Sequence, residues 1–309
     1  MVRTIKLKKK PQSIVVVGSV AFDTVKTAYG KVDDALGGSA TYFTIAARIF
    51  APVQVVGVVG EDFSKEHLAT LKNPKTDLSG LIRRPGKTFR WSGSYEDPNE
   101  AKTHDTQLNV FAEFNPELPK SYRETSYLFL ANIHPTLQES VLSQVGTPHL
   151  VACDTMNHWI RSHRKELLDL YKRVTMIFLN EGEAKLLTGE KLLVKAAKKL
   201  KSLGPKWVIL KKGEHGVLAF DGKEFIALPA YPVENVVDPT GAGDSFAGAF
   251  MGYLASQGNM KRLTVLNALR YATVVASFAV EDFSIRKTIK LTRSMIDKRY
   301  RKFLEMVGS

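Results

Sequence analysis

The segment Asp238-Pro-Thr-Gly-Ala-Gly-Asp244 concentrates more chemistry than any other in this 309-residue chain. Gly241, Ala242 and Gly243 leave backbone N–H groups unobstructed just ahead of residues 245–256, whose small and apolar residues predict a helix. A helix N-terminus carries roughly half a positive charge, so an oxyanion or phosphate is favoured there. Asp244 then stands beside an anion-binding turn. A carboxylate in a first turn can be a dipole partner worth about 0.3–1 kcal/mol; here it can also accept a proton from an attacking hydroxyl. The plain alternative is a Gly-rich turn before a small-residue helix packed tightly on a neighbour.

Two further segments end short apolar runs. Asn180-Glu-Gly-Glu183 follows the run 176–179 and opens a helical pattern. An N-cap Asn with Glu three residues on is a capping box that needs no ligand. The functional alternative is a carboxylate at a strand's C-terminal end, holding magnesium through water beside phosphate oxygens. Lys211-Lys-Gly-Glu-His-Gly216 likewise follows the run 207–210 and offers a cation with two permissive glycines, or a hairpin turn. Gly80 to Thr88 imitates a phosphate-binding G-x-x-x-x-G-K-[ST] loop, but one residue too many separates the glycines and a period-two strand follows where a helix is required.

The elements that must position these residues are legible in outline. Nearly continuous apolar runs at 14–17, 53–59, 127–130, 150–152, 176–179 and 207–210 predict strands buried on both faces. Helical spacing covers 41–50, 136–144, 163–173, 182–187, 192–203 and 245–256. Alternation of this kind predicts an α/β fold, a doubly wound and mainly parallel sheet flanked by helices. Residues 89–96 and 107–114 instead alternate with period two around the turn Asp97-Pro-Asn-Glu100. With residues 24–32 they predict a small projecting β-sheet, a lid or a homodimer surface, in segments of about 20–36 and 87–115 inserted into one domain over 1–309; an ordinary hairpin on the core is the alternative.

Composition narrows the class. A chain this long buries about three quarters of its surface and needs no staples. One cysteine, Cys153, permits no intrachain disulfide and predicts a cytoplasmic setting. The seven histidines show no metal-ligand spacing. Arg3 to Lys10 ahead of Ile14 copies a secretory signal only superficially, since Gly18, Ser19 and Asp23 break the apolar run, and no stretch is apolar enough for a membrane span. Forty-four Lys and Arg against 31 Asp and Glu give +13, which favours anionic partners. The lysines of 192–203 lie between apolar residues at helical spacing, an ordinary solvated face, so nucleic acid is not expected as a partner.

Taken together, Gly18-Ser-Val-Ala-Phe-Asp23, Gly37-Gly38, Asn180-x-x-Glu183, Lys211-x-Gly213-x-x-Gly216 and the Asp238–Asp244 signature resemble, in order, the ribokinase-like (PfkB) family of carbohydrate and nucleoside kinases. The resemblance implies an ATP- and Mg2+-dependent transfer of the γ-phosphoryl group to a hydroxyl of a sugar or nucleoside. It implies Asp244 as general base and Gly241, Ala242 and Gly243 as the anion hole. Glu183, with Asn180, would organise magnesium through water. Asn180, Lys211, Gly213, Gly216, Thr240 and Thr273 would border the nucleotide, and Asp23, Gly37 and Gly38 would hold the acceptor. A catalytically reduced binding or regulatory protein on the same fold and a basic nucleic-acid-contacting protein are the alternatives; an intact Asp244 speaks against the first.

Two departures qualify the inheritance. Tyr42 stands where many family sugar kinases carry Asn, and the loop Glu281-Asp-Phe-Ser-Ile285 lacks the glycine of members that bind a monovalent cation, so potassium is not expected as a cofactor. Phe89, Trp91 and Tyr95 share one parity, with Phe111 expected on the partner strand. Stacked aromatics suit a nucleoside, or a sugar with a ring substituent, better than a small polyol; simple burial of that face is the alternative.

Overall fold

The computed structural model describes residues 11–308; the basic start Arg3 to Lys10 lies outside them. Its strands are β1 (Ile14–Val17), β2 (Ala21–Thr27), β3 (Gly30–Gly37), β4 (Val53–Val59), β5 (Thr76–Arg83), β6 (Phe89–Asp97), β7 (Glu100–Gln107), β8 (Tyr127–Leu130), β9 (Leu150–Cys153), β10 (Met176–Asn180), β11 (Trp207–Lys211), β12 (Val217–Phe220) and β13 (Phe225–Leu228). The helices are α1 (Ser39–Ala47), α2 (Lys65–Leu71), α3 (Pro135–Leu142), α4 (Asn157–Ser162), α5 (Arg164–Tyr171), α6 (Glu181–Thr188), α7 (Leu193–Lys201), α8 (Ala242–Gln257), α9 (Arg262–Ala279) and α10 (Arg293–Met306).

Nine strands form one sheet in the order β13-β12-β11-β10-β9-β8-β1-β4-β5. From β5 to β11 the pairs are parallel, and β12 and β13 join antiparallel at one edge. Every side chain of β1, β8 and β9 is buried, as near-continuous apolar strands with covered faces must be. One face packs on α1, α8 and α9 and the other on α3 to α7. The parallel strands therefore deliver their C-terminal ends to one rim, where Asp154 follows β9, Asn180 ends β10 and Lys211 ends β11, with Asn180 and Lys211 directly paired. Open α/β sheets bind ligands at this rim.

A second sheet has the order β3-β2-β6-β7, with β2 and β6 parallel and the outer pairs antiparallel. The period-two alternation of residues 107–114 does not make them the partner strand of β6. The partner of β6 is Glu100–Gln107, exposed at every residue and so without an apolar alternation to betray it. Residues 109–113 form a 3-10 turn, and 108–115 give the small sheet no strand. Phe111 accordingly stacks between Phe89 and Phe114, at 5.5 and 5.3 Å, instead of standing across from Trp91.

Candidate active site

The signature turn begins α8 where the sequence places it. Gly241 is the N-cap with φ +72°, and a side chain there would be driven into the ring of Tyr42. Only glycine meets both demands. Ser245 N–H donates to Gly241 O at 2.8 Å and Ala242 N–H donates back to Pro239 O at 3.2 Å. Asp238 fixes the turn from below: one carboxylate oxygen accepts from Thr240 N–H and the other from Ser284 N–H, each at 2.9 Å. Ser284 sits at φ +55° and donates its hydroxyl to Leu36 O at 2.5 Å. Residues 281–285, β3 and the signature turn are thus one braced unit.

Tyr42 links this turn to Asp23 and the Gly37-Gly38 pair. Its ring lies on Gly241 and its hydroxyl donates to Asp23 Oδ2 at 2.9 Å. Asp23 in turn occupies the space that a side chain on Gly37 would fill, and Gly38 caps α1 at φ +91° against the Ser19 carbonyl. Burial lifts the Asp23 carboxyl to about 7 against the pull of the Tyr42 hydroxyl and the Gly38 amide.

Asp244 lies in the first turn of α8 with part of its surface open to solvent. Desolvation, then the charge of Asp154, lifts its carboxyl to about 8. Asp154 is the functional candidate that the motifs miss. Its Oδ2 accepts from Lys211 Nζ at 2.6 Å in a nearly buried ion pair. Burial opposes the Lys211 charge, but Asp154, Glu183 and Asp244 outweigh that and raise its pKa. The signal was present: Asp154 follows a four-residue apolar strand, as Asn180 and Lys211 end theirs.

Asn180 and Glu183 form the capping box their spacing predicts, each accepting the other's backbone N–H at 2.7 Å. Glu183 is nonetheless buried, and desolvation followed by the Asp154 charge brings it to about 7. Lys211 to Gly216 is the turn of the β11–β12 hairpin, and Gly213 is touched by the side chain of Asn99 at the tip of the β6–β7 hairpin. Thr240 Oγ1 donates to Tyr95 Oη at 3.3 Å. Thr273 is buried on α9 with its hydroxyl unpartnered among the described residues. Trp91 lies over Gly93, donates Nε1–H to Thr103 Oγ1 at 3.2 Å, and packs with Val25, Val32 and Phe283. Tyr95 and Trp91 thus share the inner face of the small sheet, although Trp91 reaches none of the signature residues by hydrogen bond.

The model of the pfkB family carbohydrate kinases matches residues 11–290. The chain belongs to this family. It is 34% identical over 247 residues to the cytidine kinase of Thermococcus kodakarensis, covering 78% of this chain and 88% of that one. Among solved structures, Methanocaldococcus jannaschii nucleoside kinase, described as an archaeal member of the ribokinase family, superposes with TM-score 0.73 at 20% identity, over 95% of this chain and 99% of its own. The fructokinase of Vibrio cholerae O395, solved with fructose, ADP and calcium, gives 0.76 at 16%, over 94% and 99%. At these identities the two structures establish the fold, a ribokinase-like one, and the family establishes carbohydrate kinase chemistry. No helix among the described residues is long and apolar enough to cross a membrane.

Proposed function

We propose that this PfkB-family kinase moves the γ-phosphoryl group of ATP to a hydroxyl of a nucleoside. The observation that carries the reading is Tyr42, one side chain that binds Asp23 through its hydroxyl and braces Gly241 with its ring. Acceptor side and anion turn are thereby held in fixed relation, as in-line transfer requires. Asp244 takes the proton of the attacking hydroxyl. N–H groups of the Gly241–Gly243 turn and the start of α8 receive the charge of the phosphoryl oxygens. The new O–P bond forms as the bond to the bridging oxygen breaks, and ADP keeps that electron pair.

Magnesium fits the donors present. Among the described residues no group of three or more His, Cys, Asp or Glu is placed to ligate a metal directly, while Glu183 offers a buried carboxylate beside Asn180. Mg2+ keeps several waters and needs few protein ligands, so Glu183 and Asn180 would hold it through water. It would neutralise phosphate charge there. Lys211, Gly213, Gly216, Thr240 and Thr273 border the nucleotide, and the small sheet closes over the acceptor to exclude water.

The nucleoside preference is supported by the cytidine kinase relative and by the aromatic inner face of β6. Its test compares kcat/KM for ribonucleosides with that for free pentoses and hexoses, in wild type and in Trp91→Ala. A nucleoside preference that Trp91→Ala weakens through acceptor KM is expected. A preference for bare sugars with unchanged KM in the variant would leave Trp91 as packing only.

A further inference from the structure

Lys211 stands where a cation is least at home. Its ammonium lies 3.1 Å from the position a Cβ on Gly243 would take, and its Cδ and Cε lie at 3.7 Å, so the side chain crosses the first turn of α8. A helix N-terminus is already positive and repels a cation. Burying the pair Lys211–Asp154 is also poor stabilisation, since two well-packed apolar residues in such places are often no less stable. An anion arriving at this turn meets the helix dipole and the ammonium together.

Asp154 is held for this purpose from several sides. Its Oδ1 accepts from Thr155 N–H at 2.9 Å. Its own carbonyl accepts from Gln138 Nε2 at 3.0 Å, and the same buried amide also binds the carbonyls of Leu130 and Ala131, at 3.2 and 2.9 Å, tying β8 to β9. Only Oδ2 is left to direct Lys211, at 2.6 Å.

We infer that Lys211 is a catalytic residue whose ammonium contacts an oxygen of the transferring phosphoryl group at the start of α8, and that Asp154 is the positioning residue that aims it. The inference rests on the kinase reading and goes beyond a border of the nucleotide pocket. In the transfer, Lys211 gives up no proton: the hydroxyl proton goes to Asp244, the bridging P–O bond breaks toward ADP, and the ammonium offsets the charge on the moving group.

The test uses calorimetric binding of ADP and of the non-hydrolysable imido analogue of ATP, both with Mg2+, alongside kcat for the fastest nucleoside acceptor. Lys211→Met is expected to lose about 10²–10³ in kcat, as removal of one preorganised donor does, and to lose about 10–100-fold of the analogue's affinity relative to ADP, the range for a charged hydrogen bond. Lys211→Met/Asp154→Leu leaves no unpaired buried charge and should fold with the same losses. Asp154→Asn should lower kcat in the wild-type background and add nothing in Lys211→Met, and Asp154→Glu should restore part of the rate. If wild type transfers phosphate while Lys211→Met and the double variant stay within threefold in kcat and keep the analogue preference, this inference alone falls. Additive losses for Asp154→Asn overturn its positioning role. A wild type that neither binds the analogue nor transfers phosphate overturns the kinase reading and this inference together.

Discussion

At the scale of single residues, Asp244 carries the account, and its environment makes two different demands of experiment. A base with a carboxyl at about 8 in the free protein gives a kcat/KM that falls about tenfold per pH unit on the acid side of that value and flattens above it. Asp244→Asn should lose roughly 10²–10⁴ in kcat and still bind nucleotide, which turnover and calorimetry measure side by side. The same carboxyl sets a stability trend. Folded, Asp244 keeps its proton to about 8 and Asp23 to about 7, whereas the ordinary value is 3.8. Unfolding therefore releases protons between those limits, and stability without nucleotide falls as pH rises from about 4 to 8, by at most about 1.4 kcal/mol per pH unit for each proton. Thermal melts should find Asp244→Asn more stable than wild type at pH 8, with the gap closing toward pH 4. At Glu183 cap and catalysis separate cleanly. Glutamine also serves at that position of a capping box, so near pH 5, where the buried Glu183 carboxyl keeps its proton, Glu183→Gln should leave the melting point nearly unchanged, while turnover falls and its magnesium dependence shifts; an unchanged magnesium titration would assign Glu183 to the cap alone. Asp244 and Glu183 stood out as candidates because they sit in contiguous motifs. Asp154 did not, because its partner Lys211 is 57 residues away and meets it only when β9 and β11 flank β10.

At the scale of elements, the site depends on how α8 is seated. Gly248 lies against the Phe43 backbone of α1, leaving no room for a methyl group. Gly248→Ala should cost about 1–3 kcal/mol, a drop of roughly 2–10 °C in Tm, and should lower kcat because Asp244 rides on the displaced helix; an unchanged melt with full activity would show that the α1–α8 contact yields freely. The buried parallel strands were readable to within a residue or so, since burial on both faces requires apolar continuity. Residues whose conformation is set by neighbours were less so. Strand β7 has no buried side chain and is held by its pairing with β6, so its sequence carries no periodicity. The alternation at 107–114 arises from Phe111 and Phe114 packing beneath a 3-10 turn. Edge strand β5 buries only its central Gly80 fully, so no continuous apolar run marks it in the sequence.

At the scale of the molecule, two sheets divide the labour. The nine-stranded sheet presents Asp154, Asn180 and Lys211 along one rim, and the small sheet brings Trp91, Tyr95 and Asn99 toward the signature turn and the β11–β12 hairpin. A charge of +13 suits a protein that recruits an anionic phosphate donor. The most direct test of the whole arrangement is transfer of label from ATP carrying radioactive γ-phosphate, with Mg2+, to a panel of ribonucleosides and sugars, catalysed by wild type and by Asp244→Asn in parallel. Labelled nucleoside monophosphate is expected from wild type and at least a hundredfold less, on the order of the general-base contribution, from the variant. Label on no acceptor, or equal label from both proteins, would contradict it.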